Sequence, residues 1–344
     1  MSDNRPQTVV RQNNVPGFQD LRAARLCDIT EPMMARVELA AEFPNAGVEP
    51  TGIDELDNVV RFQAGRMAVL GGREGAGKSA LALQIARWWS GRGATLYVLT
   101  EMSIEEVVER IVAATAHIPV WQIQKSPSPD QRAKVRGALE WLAKNSNLTI
   151  VEAQGIPMDE LTLRIRDWAK SQRNGARGVI IDNLWGLAGA SGVRGQASEV
   201  SIAIGNIARQ VANLSLPIAS GGIDCPVVLL HHLNRGATGG NSPTTATLGG
   251  SDQIGYWASQ VILVAEEKVV GAGDGAFGSS GATHALHITK NRGGRAGVSI
   301  PLSFLGEQMR FVGAGTPAPF AKPEAADIVA EKTYRQKLAE LPSI

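Results

Sequence analysis

Cysteine is almost missing from this chain. Only Cys27 and Cys225 occur in 344 residues, far apart, which argues against a disulfide framework and any cysteine-based zinc spacing. A dominant charge is missing too: 34 Lys and Arg stand against 33 Asp and Glu, for a net charge of +1. Bulk charge therefore neither demands nor excludes nucleic acid, and any DNA contact has to come from local placement of Arg and Lys. No apolar run approaches the roughly 18–20 residues that span a bilayer, so no membrane partner is expected. The start, Met1-Ser2-Asp3-Asn4-Arg5-Pro6, is polar and reads as lacking a signal peptide, which makes the cytoplasm the expected compartment. The 44% hydrophobic and 19% charged residues are ordinary for a soluble globular protein with one large domain or two small ones.

Against this plain background one motif stands out. Gly72-Arg73-Glu74-Gly75-Ala76-Gly77-Lys78-Ser79 fits G-x-x-x-x-G-K-[ST], the phosphate-binding P-loop. Met67-Ala68-Val69-Leu70 before it reads as a buried strand, and Ala80 to Ala86 after it as a helix. Glycines let backbone N–H groups wrap phosphates, and the helix N-terminus adds its positive dipole end. Gly72, Gly75, Ala76, Gly77, Lys78 and Ser79 are therefore candidate ATP-binding residues. Lys78 is placed to reach the β- and γ-phosphates and Ser79 to ligate Mg²⁺.

Residues 1–20 read as a disordered arm and 21–46 as a helical linker segment of one or two short helices. From residue 51 to about 312 strands and helices alternate. Strands fall at Thr95–Thr100, Leu148–Val151, Gly178–Asp182 and Pro226–Leu230, with helices at 104–112, 128–145, 158–173 and 200–213. Ser103-x-x-Glu106 reads as a capping box. Four late strands follow: Val261–Val264, Ala285–Thr289, Val298–Phe304 and Met309–Val312. The alternation predicts a mostly parallel α/β sheet with a β-rich edge. Gly186–Ser198 and Asn234–Gly250 read as long loops on the ligand edge. Residues 313–344 read as a Pro/Ala-rich linker and a charged terminal helix at 325–340, with a solvated tail slightly favoured over a packed role for the latter.

Other residues carry possible chemistry. Asp182 ends an apolar strand, where a carboxylate holds Mg²⁺ directly or through water. Glu101 ends the strand after the P-loop helix; taken alone it reads as a surface acid, and in a nucleotide site as a general base. His231-His232 ends the next strand, where His232 is a candidate γ-phosphate sensor; with no third ligand at suitable spacing, a metal reading is discounted. Lys290-Asn291-Arg292 ends a late strand, as a phosphate-reaching basic tip or an ordinary solvated turn.

Taken together these segments resemble the C-terminal motor domain of the DnaB family of replicative DNA helicases and the related phage primase-helicases. Thr51-Gly52-Ile53-Asp54-Glu55-Leu56-Asp57 resembles the family's opening motif, and the P-loop follows at the expected place. Thr100-Glu101-Met102-Ser103 with Arg110 resembles its "LEMS…R" segment, and His231-His232-Leu233-Asn234-Arg235 its "SQLNR" motif, with His232 in place of glutamine. Leu248-Gly249-Gly250-Ser251-Asp252-Gln253-Ile254 resembles the end of its second DNA-binding loop.

The resemblance spans residues 47–312. It implies a RecA-like P-loop NTPase fold, Glu101 as catalytic base, and Lys290 and Arg292 as a finger reaching a neighbouring subunit's ATP. It further implies a homo-oligomeric ring, usually of six, with single-stranded DNA in the channel touched by Arg194 and Arg235, and a loader or primase as partner. The chain departs from the family in having about 50 residues before the motor instead of a collar domain, and few basic residues in both loops. Two other functions fit the P-loop: a RecA-like recombinase or strand-exchange mediator, and a regulatory or scaffold ATPase without unwinding activity.

Overall fold

The computed structural model of the chain describes residues 26–43, 47–125, 127–192, 197–233, 248, 252–267, 283–313 and 325–341. The elements are α1 (Leu26–Glu42), α2 (Asp54–Asp57), β1 (Met67–Gly72), α3 (Lys78–Ser90), β2 (Ala94–Leu99), α4 (Ile104–Ala116) and α5 (Val120–Gln124). Then come α6 (Pro129–Asn145), β3 (Leu148–Glu152), α7 (Met158–Ser171), β4 (Ala176–Asp182), α8 (Leu184–Ala190), α9 (Ala197–Leu214) and β5 (Val227–His232). The chain continues through α10 (Asp252–Trp257), β6 (Gln260–Glu266), β7 (His284–Asn291), β8 (Val298–Leu305), β9 (Arg310–Gly313) and α11 (Ala325–Glu340). It divides into two units, one of residues 48–323 and one of residues 1–47 with 324–344.

In the larger unit, β1, β2 and β4 are buried from end to end, the signature of strands covered on both faces. Among the described residues the sheet has nine strands in the order β3-β2-β4-β5-β1-β6-β7-β8-β9. All pairs from β3 to β6 are parallel, and β7, β8 and β9 are antiparallel. The expected fold class is borne out. Alternation along each strand sorts the core into two layers. Ala68, Leu70, Tyr97, Leu99 and Ile180 pack with Leu81 and Ile85 of α3 and Val107 of α4. Met67, Val69, Val98, Val179 and Ile181 pack with α7, α8 and α9 through Leu161, Leu184 and Ile204.

Three expectations need correction. Gly186–Ser198 is not loop throughout: α8 forms because the Asn183 side chain accepts from Trp185 and Gly186 N–H groups at 2.8 and 3.3 Å, and Leu184, Leu187 and Ala188 bury one face. Ser103 caps α4 by accepting from the Glu106 N–H at 3.2 Å, but the Glu106 carboxylate pairs with Arg110 instead of closing a box. The reciprocal box sits at Ser128 and Gln131, at the head of α6. Finally, in the smaller unit, residues 325–340 are not a solvated tail. Tyr334 meets Phe43 edge-on at 6.3 Å, Lys337 pairs with Glu42, and Glu331 accepts from the Gly47 N–H at 3.0 Å.

Gly178 on β4 lies where an added Cβ would stand 2.3 Å from the Trp89 ring. Trp89 is fully buried, its Nε1–H donates to the Pro50 carbonyl at 2.9 Å, and its ring packs edge-on to Phe62. The ring cannot retreat without losing these contacts. Gly178→Ala is expected to cost about 1–3 kcal/mol by overpacking. Thermal melting followed by circular dichroism checks it, and an unchanged melting temperature would show that the indole is free to move.

Candidate nucleotide-binding site

The P-loop turn depends on backbone conformations that side chains resist. Gly75 and Gly77 take φ of +78° and +86°, and a Cβ on Gly77 would also press within 2.8 Å of the Phe311 ring. At Gly72 a Cβ would stand 2.8 Å from the Val264 carbonyl oxygen, so the loop leaves the sheet close against β6. α3 then starts at Lys78, aiming its first N–H groups into the loop. The Lys78 ammonium bridges the loop to the Arg73 carbonyl at 2.7 Å. Gln84 holds the helix to β9 from nearly two turns further on, exchanging two hydrogen bonds with the Phe311 backbone at 3.0 and 3.1 Å.

Burial shifts the ions around this loop. Lys78 is 6% exposed, and desolvation brings its ammonium down to about 8 against the opposing pull of Asp182, Glu74 and Glu101. Asp182 is also buried, which raises its carboxyl. Hydrogen bonds from the Ser79 and Tyr97 hydroxyls and the charge of Lys78 act the other way. Ser79 and Asp182 thus meet, as the P-loop and strand-end readings require. The Asp182 backbone is held as well: its carbonyl accepts from the Thr100 N–H at 2.8 Å and from the Thr100 hydroxyl at 3.1 Å.

Glu101 is exposed at the end of β2, and its charge acts on Lys78, Asp182 and His232 alike. His232, at the end of β5, has its pKa lowered by burial first and by the Lys78 charge second, so the ring is held neutral. Its Nε2 lies 3.4 Å from the Asn183 amide nitrogen, and Asn183 in turn caps α8. The predicted catalytic and phosphate-binding groups therefore gather at the carboxyl edge of the parallel strands.

Lys290 and Arg292 do not join them. Asn291 pairs with Gln260, which aligns with Ala68 at the far end of β1 from Gly72, roughly 13 Å along the strand. Lys290 donates to the carbonyls of Gly255 and Tyr256 at 2.7 and 3.2 Å, and Arg292 to that of Tyr256 at 3.1 Å. Arg194 and Arg235 lie outside the described residues.

Residues 47–313 match the DnaB-like helicase C terminal domain family. The chain belongs to this family. It is an enzyme of the ATP-hydrolysing DNA helicase class, and nucleotide binding comes with that membership. Two solved structures share the fold. One is described as an ATPase domain, at 20% identity and a TM-score of 0.70, covering 83% of this chain and 98% of that one. The other is described as the structure of a DnaB-like replicative helicase and its interactions with primase, at 19% identity and a TM-score of 0.69, covering 85% and 68%. A search of the curated proteins finds no match. Among the described residues no helix is long and apolar enough to cross a membrane.

Three contacts of this DnaB-like domain were missed in the sequence: the Tyr97 hydroxyl on Asp182, Asn183 between His232 and α8, and Phe311 against Gly77. The first has a signal in hindsight, a lone hydroxyl in the apolar run Leu96-Tyr97-Val98-Leu99. The other two depend on which elements lie side by side in space.

The lowered Lys78 has a consequence for binding. A triphosphate favours the charged ammonium, so binding near pH 8 is expected to take up a proton. Affinity is expected to hold below about pH 8 and to fall by up to about tenfold per pH unit above it. Calorimetry in two buffers of different ionisation enthalpy measures the uptake. A binding constant unchanged as pH rises past the Lys78 value would contradict the contact.

Proposed function

We propose that the chain is the motor of a replicative-type DNA helicase that moves on single-stranded DNA as a ring, with ATP hydrolysed between subunits. The observation that carries this reading is the gathering of Lys78, Ser79, Asp182, Glu101 and His232 at one sheet edge, with Lys290 and Arg292 at the other. In it, the N–H groups of residues 72–79 and the Lys78 ammonium hold the triphosphate. Glu101, exposed to solvent beside Lys78, takes the proton of the attacking water. Neutral His232 senses the γ-phosphate and passes its presence through Asn183 to α8.

Mg²⁺ fits the residues present. Among the described residues no cluster of three or more His, Cys, Asp or Glu could hold a metal alone. A magnesium ion bound through one hydroxyl and one carboxylate, with phosphate oxygens and water filling its shell, needs no such cluster. Ser79 and Asp182 supply that pair, and a nearby cation offsets the cost of burying Asp182. When bound, Mg²⁺ neutralises charge on the phosphates.

Lys290 and Arg292 act on the nucleotide of a neighbouring copy, and Arg194 and Arg235 are the phosphate contacts for DNA. Six subunits is the expected ring. A DnaB-like replicative helicase of this fold interacts with primase, and a primase or a loader is the partner proposed here.

Steady-state ATPase measured with and without single-stranded DNA tests the reading. Stimulation that weakens as salt rises is expected, because phosphate contacts release counterions. Absence of stimulation at low and moderate salt would favour the scaffold-ATPase alternative, and stimulation without strand displacement would favour the recombinase. Glu101→Gln is expected to bind ATP as before while turnover falls by about 10²–10⁴-fold. Normal turnover in that variant would remove Glu101 from the base role.

A further inference from the structure

β2 and β4 are neighbours, with Tyr97 opposite Ile180 and Leu99 opposite Asp182. Ile180 and Asp182 are two residues apart and share a face, so Asp182 is the diagonal neighbour of Tyr97 toward the carboxyl edge. A diagonal neighbour, about 7–8 Å away, is within reach of a phenol and beyond most aliphatic side chains. The Tyr97 O–H donates to Asp182 Oδ2 at 2.9 Å, and both residues are buried. A buried strand such as β2 is served equally well by phenylalanine; only the contact with Asp182 uses the hydroxyl. Since Thr100 fixes the Asp182 backbone, the hydroxyls of Tyr97 and Ser79 set the direction of its carboxylate.

We infer that Tyr97 is a positioning residue: by holding Oδ2, its hydroxyl keeps the Asp182 carboxylate turned for a divalent cation shared with Ser79. The inference rests on the reading of Asp182 and Ser79 as metal ligands. Tyr97 itself touches neither metal nor nucleotide. Its removal leaves the fold intact, releases the carboxylate and strips a buried charged oxygen of one donor.

The test uses the full chain, in excess over ADP, titrated with Mn²⁺ and read by the electron paramagnetic resonance of the free ion. Tyr97→Phe is compared with Asp182→Asn and with Ile180→Val, which loosens the same face and keeps the hydroxyl. Tyr97→Phe is expected to weaken Mn²⁺ binding by about tenfold or more, the usual cost of one hydrogen bond to a charged group. The Mg²⁺ concentration that half-saturates ATPase is expected to rise in step. Ile180→Val is expected to lower the melting temperature and leave Mn²⁺ binding unchanged. Unchanged binding in Tyr97→Phe, with loss in Asp182→Asn, overturns the positioning role. Equal loss in Ile180→Val and Tyr97→Phe overturns it in favour of packing alone. Unchanged binding in Asp182→Asn removes the carboxylate from the metal site, and the inference with it.

Discussion

The direction of the strands governs this molecule. Six strands, β3 through β6 in sheet order, run the same way, so Gly72, Leu99, Asp182 and His232 all end at one edge. Four of the strand ends there, those of β1, β2, β4 and β5, carry the groups proposed for phosphate or proton chemistry. β1 lies inside the sheet, with β5 on one side and β6 on the other. The connection after β1 crosses to β2, beyond β5 and β4, and the chain later returns to build β6 on the opposite side. Open α/β sheets hold ligands in the crevice that such a reversal leaves. Reversal of direction at β7 then sends Lys290 and Arg292 to the other edge. A rigid sheet cannot bring both edges to one nucleotide, and a second copy of the chain can.

Charge follows from this geometry. Burial works against both the Lys78 ammonium and the Asp182 carboxylate, and each partly relieves the other. In the proposed function, triphosphate beside Lys78 and magnesium beside Asp182 would relieve both further and so couple the two ligands through the same pair of side chains. The route outward is equally short. Asn183 faces His232 with its amide nitrogen and caps α8 with its oxygen, so one side chain joins the phosphate edge to the segment leading toward the proposed DNA loop.

Much of this was legible in the residues. The P-loop is a local pattern, readable because its glycines, lysine and serine are contiguous. The parallel sheet was readable because strands buried on both faces are unbroken apolar runs. What stayed hidden depends on neighbours in space. The partnership of Tyr97 with Asp182 is a matter of register between β2 and β4, and no spacing within either strand encodes it. α8 was obscured by Gly186 and Gly189, which weaken helix propensity, while the cap at Asn183 and the burial of Leu184 and Leu187 override them. α11 looked like a charged tail because its single aromatic, Tyr334, finds its partner in Phe43, near the opposite end of the sequence. The positions of Lys290 and Arg292 were legible as strand-end residues, but which edge they reach required the antiparallel pairing of β6 and β7.

The central claim is that an active site is completed by residues from two copies. Mixing subunits measures this most directly. In the proposed ring Lys78→Ala removes the phosphate contact and Arg292→Ala the finger, so each variant alone is expected to be inactive as an ATPase. In an equimolar mixture some interfaces pair an intact Lys78 with an intact Arg292, and hydrolysis is expected to return in part. An inactive mixture of assembled, folded subunits, or an Arg292→Ala variant that is fully active alone, would contradict the account.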